Sequence, residues 1–124
     1  IDECIEMIAP RHGMWDNNKV GLASPPIKTK KGWLLLYHGI SWSSTYRVGA
    51  ALLDLEDPTT VLSRSALPIF EPKEKYETEG IVNKVVFPCG VVVRKDKVFL
   101  YYGGGDYVVG VATFKLNDIL KTLE

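Results

Sequence analysis

Residues 33–39 read WLLLYHG, and residues 98–104 read VFLYYGG. Each is an apolar run of strand length that stops at a glycine, too short for a helix. The stretches that follow also match: VGAALLDL at 48–55 and VGVATFKL at 109–116. The repeat therefore spans two strands and their connection, and it shares tyrosine, glycine and a Val-Gly pair as well as aliphatic residues. Multi-stranded units recurring in this way point to β-propeller blades, which pack radially around a channel. The competing reading is chance similarity of two hairpins, because strands draw on few residue types.

Working outward, IDECIEMIAP (1–10) alternates weakly and ends at Pro10, which predicts a short strand. RHGMWDNNKVG (11–21) is rich in turn formers and reads as a loop, with Lys19 inside it. Pro25 and Pro26 withhold two ladder donors, so SPPIKTK (24–30) is an edge or enters a strand after them. TTVLSRSALPIF (59–70) starts β-branched and breaks at Pro68, and VVFPCGVVVRK (85–95) reads as extended. NDILKTL (117–123) predicts a helix with Asn117 as N-cap and Ile119, Leu120 and Leu123 on one face. The expected fold class is all-β. One partial propeller domain covers 1–124, with blade repeats near 20–72 and 82–116 and a C-terminal helical segment. Two blades alone expose strand edges and apolar faces. The expectation is therefore part of a longer protein, or a chain that assembles with others.

The 124 residues are 46% hydrophobic and 24% charged, ordinary for a globular domain. Lys+Arg and Asp+Glu number 15 each, so no basic excess points to nucleic acid. No apolar run approaches the ~20 residues that span a bilayer, and the N-terminus shows no secretory signal. The chain does not begin with Met, as expected of a fragment or a processed product. Cys4 and Cys89 have neither metal-ligand spacing nor a disulfide framework, which predicts a reduced, cytoplasmic protein without a metal site.

Polar and aromatic side chains gather at strand ends and in loops: Asp16, Lys19, Lys28, Tyr37, His38, Tyr46, Arg47, Phe87, Cys89, Tyr102 and Asp106. Each has a plainer reading. His38 could be a strand-end histidine bonded to backbone, and Asp106 after GGG a turn aspartate. Cys89 in FPCG reads as a buried small residue. KEKYETEG (73–80) reads as a solvated loop, and its Glu77 and Glu79 are not taken as a catalytic pair.

The strings KVGLASPPIKTKKGWLLLYHG, YRVGAALLDLEDP, VVFPCGVVV and YYGGGD, in this order and spacing, resemble the mannoside phosphorylases and related mannosidases of glycoside hydrolase family 130. The resemblance implies a five-bladed propeller, of which this chain is the C-terminal two-fifths to half. It implies a phosphate-binding set that includes Lys19 and His38. It also implies a mannosyl subsite lined by Tyr46, Phe87 and Asp106, with Arg47 a further candidate. The family's general acid is an aspartate of the N-terminal half, so no catalytic residue is expected in this chain.

That chemistry suits these residue types. In phosphorolysis, phosphate attacks the anomeric carbon while an acid protonates the leaving oxygen. The anion needs fixed cations, which a lysine and a histidine supply. A carboxylate grips paired sugar hydroxyls, and an aromatic wall suits the apolar face of a pyranose. Family hydrolases use water and lack the cationic set, so Lys19 and His38 favour a phosphorylase. The expected partners are a β-mannoside oligosaccharide and inorganic phosphate as co-substrate, with no other cofactor, no nucleic acid and no membrane. Either a homo-oligomer or association with the N-terminal blades is expected. The alternatives are an inverting β-mannosidase of the same family, or a non-catalytic sugar-binding or assembly fragment.

Overall fold

The computed structural model describes all of residues 1–124. Eight strands form two antiparallel sheets. The first holds β1 (Lys19–Leu22), β2 (Ile27–Lys28), β3 (Trp33–Ile40), β4 (Tyr46–Leu53) and β5 (Val61–Arg64). β1 and β2 both pair with β3, on either side of the Pro25–Pro26 interruption, and the order runs on through β4 to β5. The second sheet is β6 (Val86–Arg94), β7 (Lys97–Gly104) and β8 (Val108–Lys115), in that order. The matching strings take matching places. WLLLYHG and VFLYYGG lie in the middle strands β3 and β7, and the two Val-Gly pairs lie in β4 and β8.

β3 reads as an unbroken apolar run because both of its faces are covered. Leu34 and Leu36, with Val48, Ala50 and Leu52 of β4, pack against Val86, Val98, Leu100 and Tyr102 of the second sheet. Leu35, Ala51 and Leu53 face the other way and meet Met7. β8 instead alternates strictly between half-buried and exposed positions. Tyr101, Val109 and Val111, on the outer face of the second sheet, lie largely in solvent.

Three expectations change. Residues 1–10 form no strand. They cross the face of the first sheet rather than pairing along an edge, held by Met7 in the apolar cluster and by the Ala9 carbonyl, which accepts a hydrogen bond from Arg64. Lys19 is not in a loop but opens β1. The terminal helix α2 (Leu116–Lys121; α1 is the short turn Lys75–Thr78) starts after Lys115, so Asn117 lies within its first turn. Asp96, from the β6–β7 turn, caps it instead: its carbonyl accepts the N–H of Leu116, and Oδ1 accepts that of Asn117. Ile119, Leu120 and Leu123 are buried, as the spacing predicts.

The two sheets are joined near one end by a backbone bridge. Tyr46, the first residue of β4, pairs with Val85, and its N–H donates to the carbonyl of Lys84 at 3.0 Å. No helix is long and apolar enough to cross a membrane.

Candidate functional site

The β3–β4 and β7–β8 hairpins lie at the same end of the sheets as the Tyr46–Val85 bridge. His38 is the third residue from the end of β3, and its ring centroid lies 4.7 Å from that of Phe87 and 6.2 Å from that of Tyr46. Tyr46 and Phe87 are themselves 6.0 Å apart. Tyr46, Val82, Val85, Phe87, Cys89 and Asp106 line a cavity of about 300 Å³. Tyr46, Phe87 and Asp106, far apart in sequence, thus meet around one concavity with an aromatic wall and a carboxylate, and His38 packs against the two rings of that wall.

Strand register explains the placement of His38. It sits opposite Gly21 of β1, and a Cβ at that glycine would collide with the imidazole ring. Lys19, two residues earlier on β1, pairs with Ile40 and so shares the face that carries His38. Diagonal neighbours of this kind lie about 7–8 Å apart. The Lys19 side chain is exposed, and His38 Nδ1 is buried without a hydrogen bond to the protein. Burial holds the His38 imidazole below its ordinary pKa, which favours the neutral ring.

Asp106 occupies the β7–β8 turn. Gly105 and Asp106 have φ values of 58° and 52°, and Tyr107 N–H donates to the Gly104 carbonyl at 3.0 Å. Positive φ at both central residues marks a type I′ hairpin turn, and aspartate is among the few side chains that tolerate it. The turn lifts Asp106 to the rim of the cavity.

Arg47 does not join this group. It is next to Tyr46 on a strand and therefore faces the opposite side, where its guanidinium pairs with Glu71 at 3.1 Å. Lys28 pairs with Trp33 at the far end of β3 and lies over that ring, 5.7 Å from its centroid. Cys89 is exposed rather than buried: the alternation of β6 turns Val86 and Pro88 inward and Phe87 and Cys89 outward.

Asp16 belongs to a different network. It is fully buried, and Oδ2 accepts hydrogen bonds from Arg11 at 2.8 Å, Arg64 at 2.9 Å and the Tyr37 hydroxyl at 2.8 Å. Burial alone would raise its pKa. Hydrogen bonds from Arg11 and Tyr37 and the charges of Arg11 and Arg64 outweigh that, and hold the carboxyl below the ordinary value. Burial, with the neighbouring Asp16 carboxylate, pushes Tyr37 up to about 12 against the pull of Arg64.

A larger cavity, of about 880 Å³, lies at the other end of the second sheet around the Arg94–Lys97 turn, and contains none of these residues. The shared chemistry of the smaller one outweighs size.

A sequence profile of glycoside hydrolase family 130, described as β-1,4-mannooligosaccharide phosphorylase, matches residues 2–124. The chain belongs to this family. It is 47% identical over 113 residues to a 1,2-β-oligomannan phosphorylase of Thermoanaerobacter sp. (strain X514), covering 91% of this chain and 38% of that protein. The β-1,2-mannobiose phosphorylase from Listeria innocua, solved with β-1,2-mannobiose, superimposes with a TM-score of 0.93 at 44% identity, over 94% of this chain and 33% of that one. A family member solved among glycoside hydrolases that target β-1,2 mannosidic linkages in Candida mannan gives a TM-score of 0.82 at 36% identity, over 90% and 34%. The two sheets are thus part of a propeller fold, and the chain spans little more than a third of these relatives.

Proposed function

We propose that this chain is the C-terminal part of a β-mannoside phosphorylase and supplies the sugar wall and part of the phosphate site. The observation that carries the reading is the meeting of two aromatic rings and a carboxylate around one concavity, with His38 packed on those rings and Lys19 on the face that carries His38. Tyr46 and Phe87 present their faces to the mannosyl ring, and Asp106 accepts from its hydroxyls. His38 and Lys19 hold phosphate beside the anomeric carbon. Phosphate oxygen bonds to that carbon as its bond to the glycosidic oxygen breaks. The leaving oxygen takes a proton from a general acid outside these 124 residues, and the products are mannose 1-phosphate and the shortened acceptor. Phosphate is the co-substrate, and no further cofactor is used.

Similarity to family hydrolases supports a second reading, an inverting β-mannosidase with water as the nucleophile. The Lys19 ammonium and the His38 imidazole, a hydrogen-bond donor, favour phosphate. The three relatives described above are all named for β-1,2 linkages, which makes β-1,2-mannobiose the first substrate to test and β-1,4-mannobiose the second. The complete enzyme is incubated with each, with and without phosphate. Release of mannose 1-phosphate that requires phosphate supports the proposal, and release of free mannose irrespective of phosphate overturns it.

A further inference from the structure

Glu77 lies within the charged run KEKYETEG, yet it is 1% exposed. The run folds as a helical turn, α1 (Lys75–Thr78), and corrects the expectation of a solvated loop. Glu77 Oε1 accepts the N–H groups of Lys73 and Glu74, each at 2.9 Å. Oε2 accepts the hydroxyl of Tyr102, which lies 3.2 Å from that of Tyr76. The Glu77 carbonyl accepts Val85 N–H at 3.0 Å.

These bonds lead to the cavity. The Val85 carbonyl accepts Gly105 N–H at 2.9 Å, and the Gly105 carbonyl accepts Val82 N–H at 3.0 Å. Val82 and Val85 are cavity walls, Gly105 precedes Asp106, and Tyr102 precedes Gly103, another wall. Capping the helical turn needs only Oε1. The bond that Oε2 accepts from Tyr102 does nothing for the turn and ties it to β7. Nor can the Tyr102 ring retreat. Gly110 backs onto it so closely that a Cβ there would lie 2.7 Å away, and Phe70 meets it edge-on at 4.9 Å.

We propose that Glu77 is a positioning residue for sugar recognition, fixing the Gly103–Asp106 turn relative to Tyr46 and Phe87 through Tyr102 and Val85. This rests on the cavity being the mannosyl subsite, as proposed above. A carboxylate on a hairpin tip is mobile unless its backbone is anchored, and gripping a pair of hydroxyls demands placement within about 0.5 Å. A buried acceptor with every oxygen engaged gives a stiff anchor.

The test compares the complete wild-type enzyme with Tyr102→Phe, Glu77→Gln and Glu77→Ala. KM is measured separately for the mannoside and for phosphate, and backbone amide exchange is followed at Val82 and Gly105. Tyr102→Phe keeps the ring and loses only the hydroxyl. It is expected to raise the mannoside KM roughly tenfold, the ratio that one hydrogen bond represents, and to leave the phosphate KM within about twofold. Glu77→Ala raises the mannoside KM further. Glu77→Gln recovers much of the loss, because its amide oxygen still accepts both N–H groups and its NH2 can donate to Tyr102. Exchange at Val82 and Gly105 quickens in the same order. A mannoside KM unchanged in Tyr102→Phe overturns the proposal, and so does an equal rise for both substrates. If Glu77→Ala does not fold, the other two variants decide. If the enzyme uses water instead of phosphate, the phosphorylase reading falls, while the mannoside KM and the exchange rates still decide the role of Glu77.

Discussion

The ring of Tyr37 lies over Gly49, its partner across the β3–β4 pair, so closely that a Cβ there would sit 2.5 Å from the ring. The second sheet repeats the arrangement with Tyr102 over Gly110. In each case the hydroxyl donates to a buried carboxylate, Asp16 in the first sheet and Glu77 in the second. Gly49→Ala and Gly110→Ala are each expected to lower stability by about 1–3 kcal/mol, the cost of overpacking where the neighbour cannot move. Chemical denaturation of the complete protein checks this, and two neutral substitutions would show that the rings are free to shift.

Asp16→Asn leaves Arg11 and Arg64 without their counter-charge. Both arginines keep some contact with solvent, so the loss should fall at the low end of the range for a broken buried pair, about 3 kcal/mol. The native carboxyl titrates below its unfolded value, so its contribution is full above the ordinary carboxylate pKa. It is lost as pH falls through the lowered value in the folded state. Melting curves of wild type and Asp16→Asn should therefore converge only in strong acid. A constant gap down to that range would contradict the assignment.

His38 titrates below 6.5 in the folded protein because burial disfavours its charge. Above pH 6.5 the ring is neutral whether folded or unfolded, and its contribution is complete. As pH falls below 6.5 the unfolded chain takes the proton first, so stability declines until the folded-state value is passed. Bound phosphate favours the imidazolium, so adding phosphate should move the His38 midpoint upward. Imidazole NMR shifts with and without phosphate read this directly, and a midpoint indifferent to phosphate removes His38 from the anion site.

Lys19→Ala and His38→Ala in the complete enzyme should raise the phosphate KM and slow phosphorolysis roughly ten- to a hundredfold, as expected for one charge-assisted bond of about 1.5–3 kcal/mol. Gly21→Ala, which pushes the imidazole off its seat, should act in the same direction as His38→Ala. Asp106→Ala should instead weaken mannoside binding and leave the phosphate KM near wild type. Steady-state kinetics with each substrate varied in turn separates the two patterns. Arg47→Ala, whose partner is Glu71, should alter neither constant by more than about twofold.

The 124 residues expressed alone should not persist as a stable monomer. Val109 is 83% exposed and Val111 50% exposed on an open sheet face, and Leu22 is 62% exposed in the first sheet. Sedimentation should show aggregates or oligomers. A compact monomer that melts cooperatively would refute this.

Strand positions were legible because their signals are local: apolar runs of fixed length, bounded by glycine and proline. The direction of Arg47 was also legible in principle, since neighbours on a strand face opposite ways and Tyr46 was already assigned to the site. Glu77 was not. A carboxylate in a run of charges reads as solvated, and its burial depends on Tyr102, 25 residues further on. The Asp16 network is likewise assembled from Arg11, Tyr37 and Arg64, which share no spacing that a scan of the chain could find. Residues 1–10 carried a faint strand pattern, but no neighbouring strand edge receives them. Cys89 reads as core because it is a small residue in an apolar run, whereas the alternation of β6 turns it outward next to the buried Pro88.

Tyr46 is at once the rung that joins the two sheets and a wall of the cavity. The rung runs through the main chain and the wall is the ring, so any side chain but proline at this position keeps the sheets paired while it reshapes the wall. Two hairpin tips lie at the same end of the sheets. Trp42 on one and Tyr107 on the other stand 73% and 71% exposed, beyond the last paired residues of their strands. Trp42 and Tyr107 can likewise be exchanged without loosening the sheets beneath.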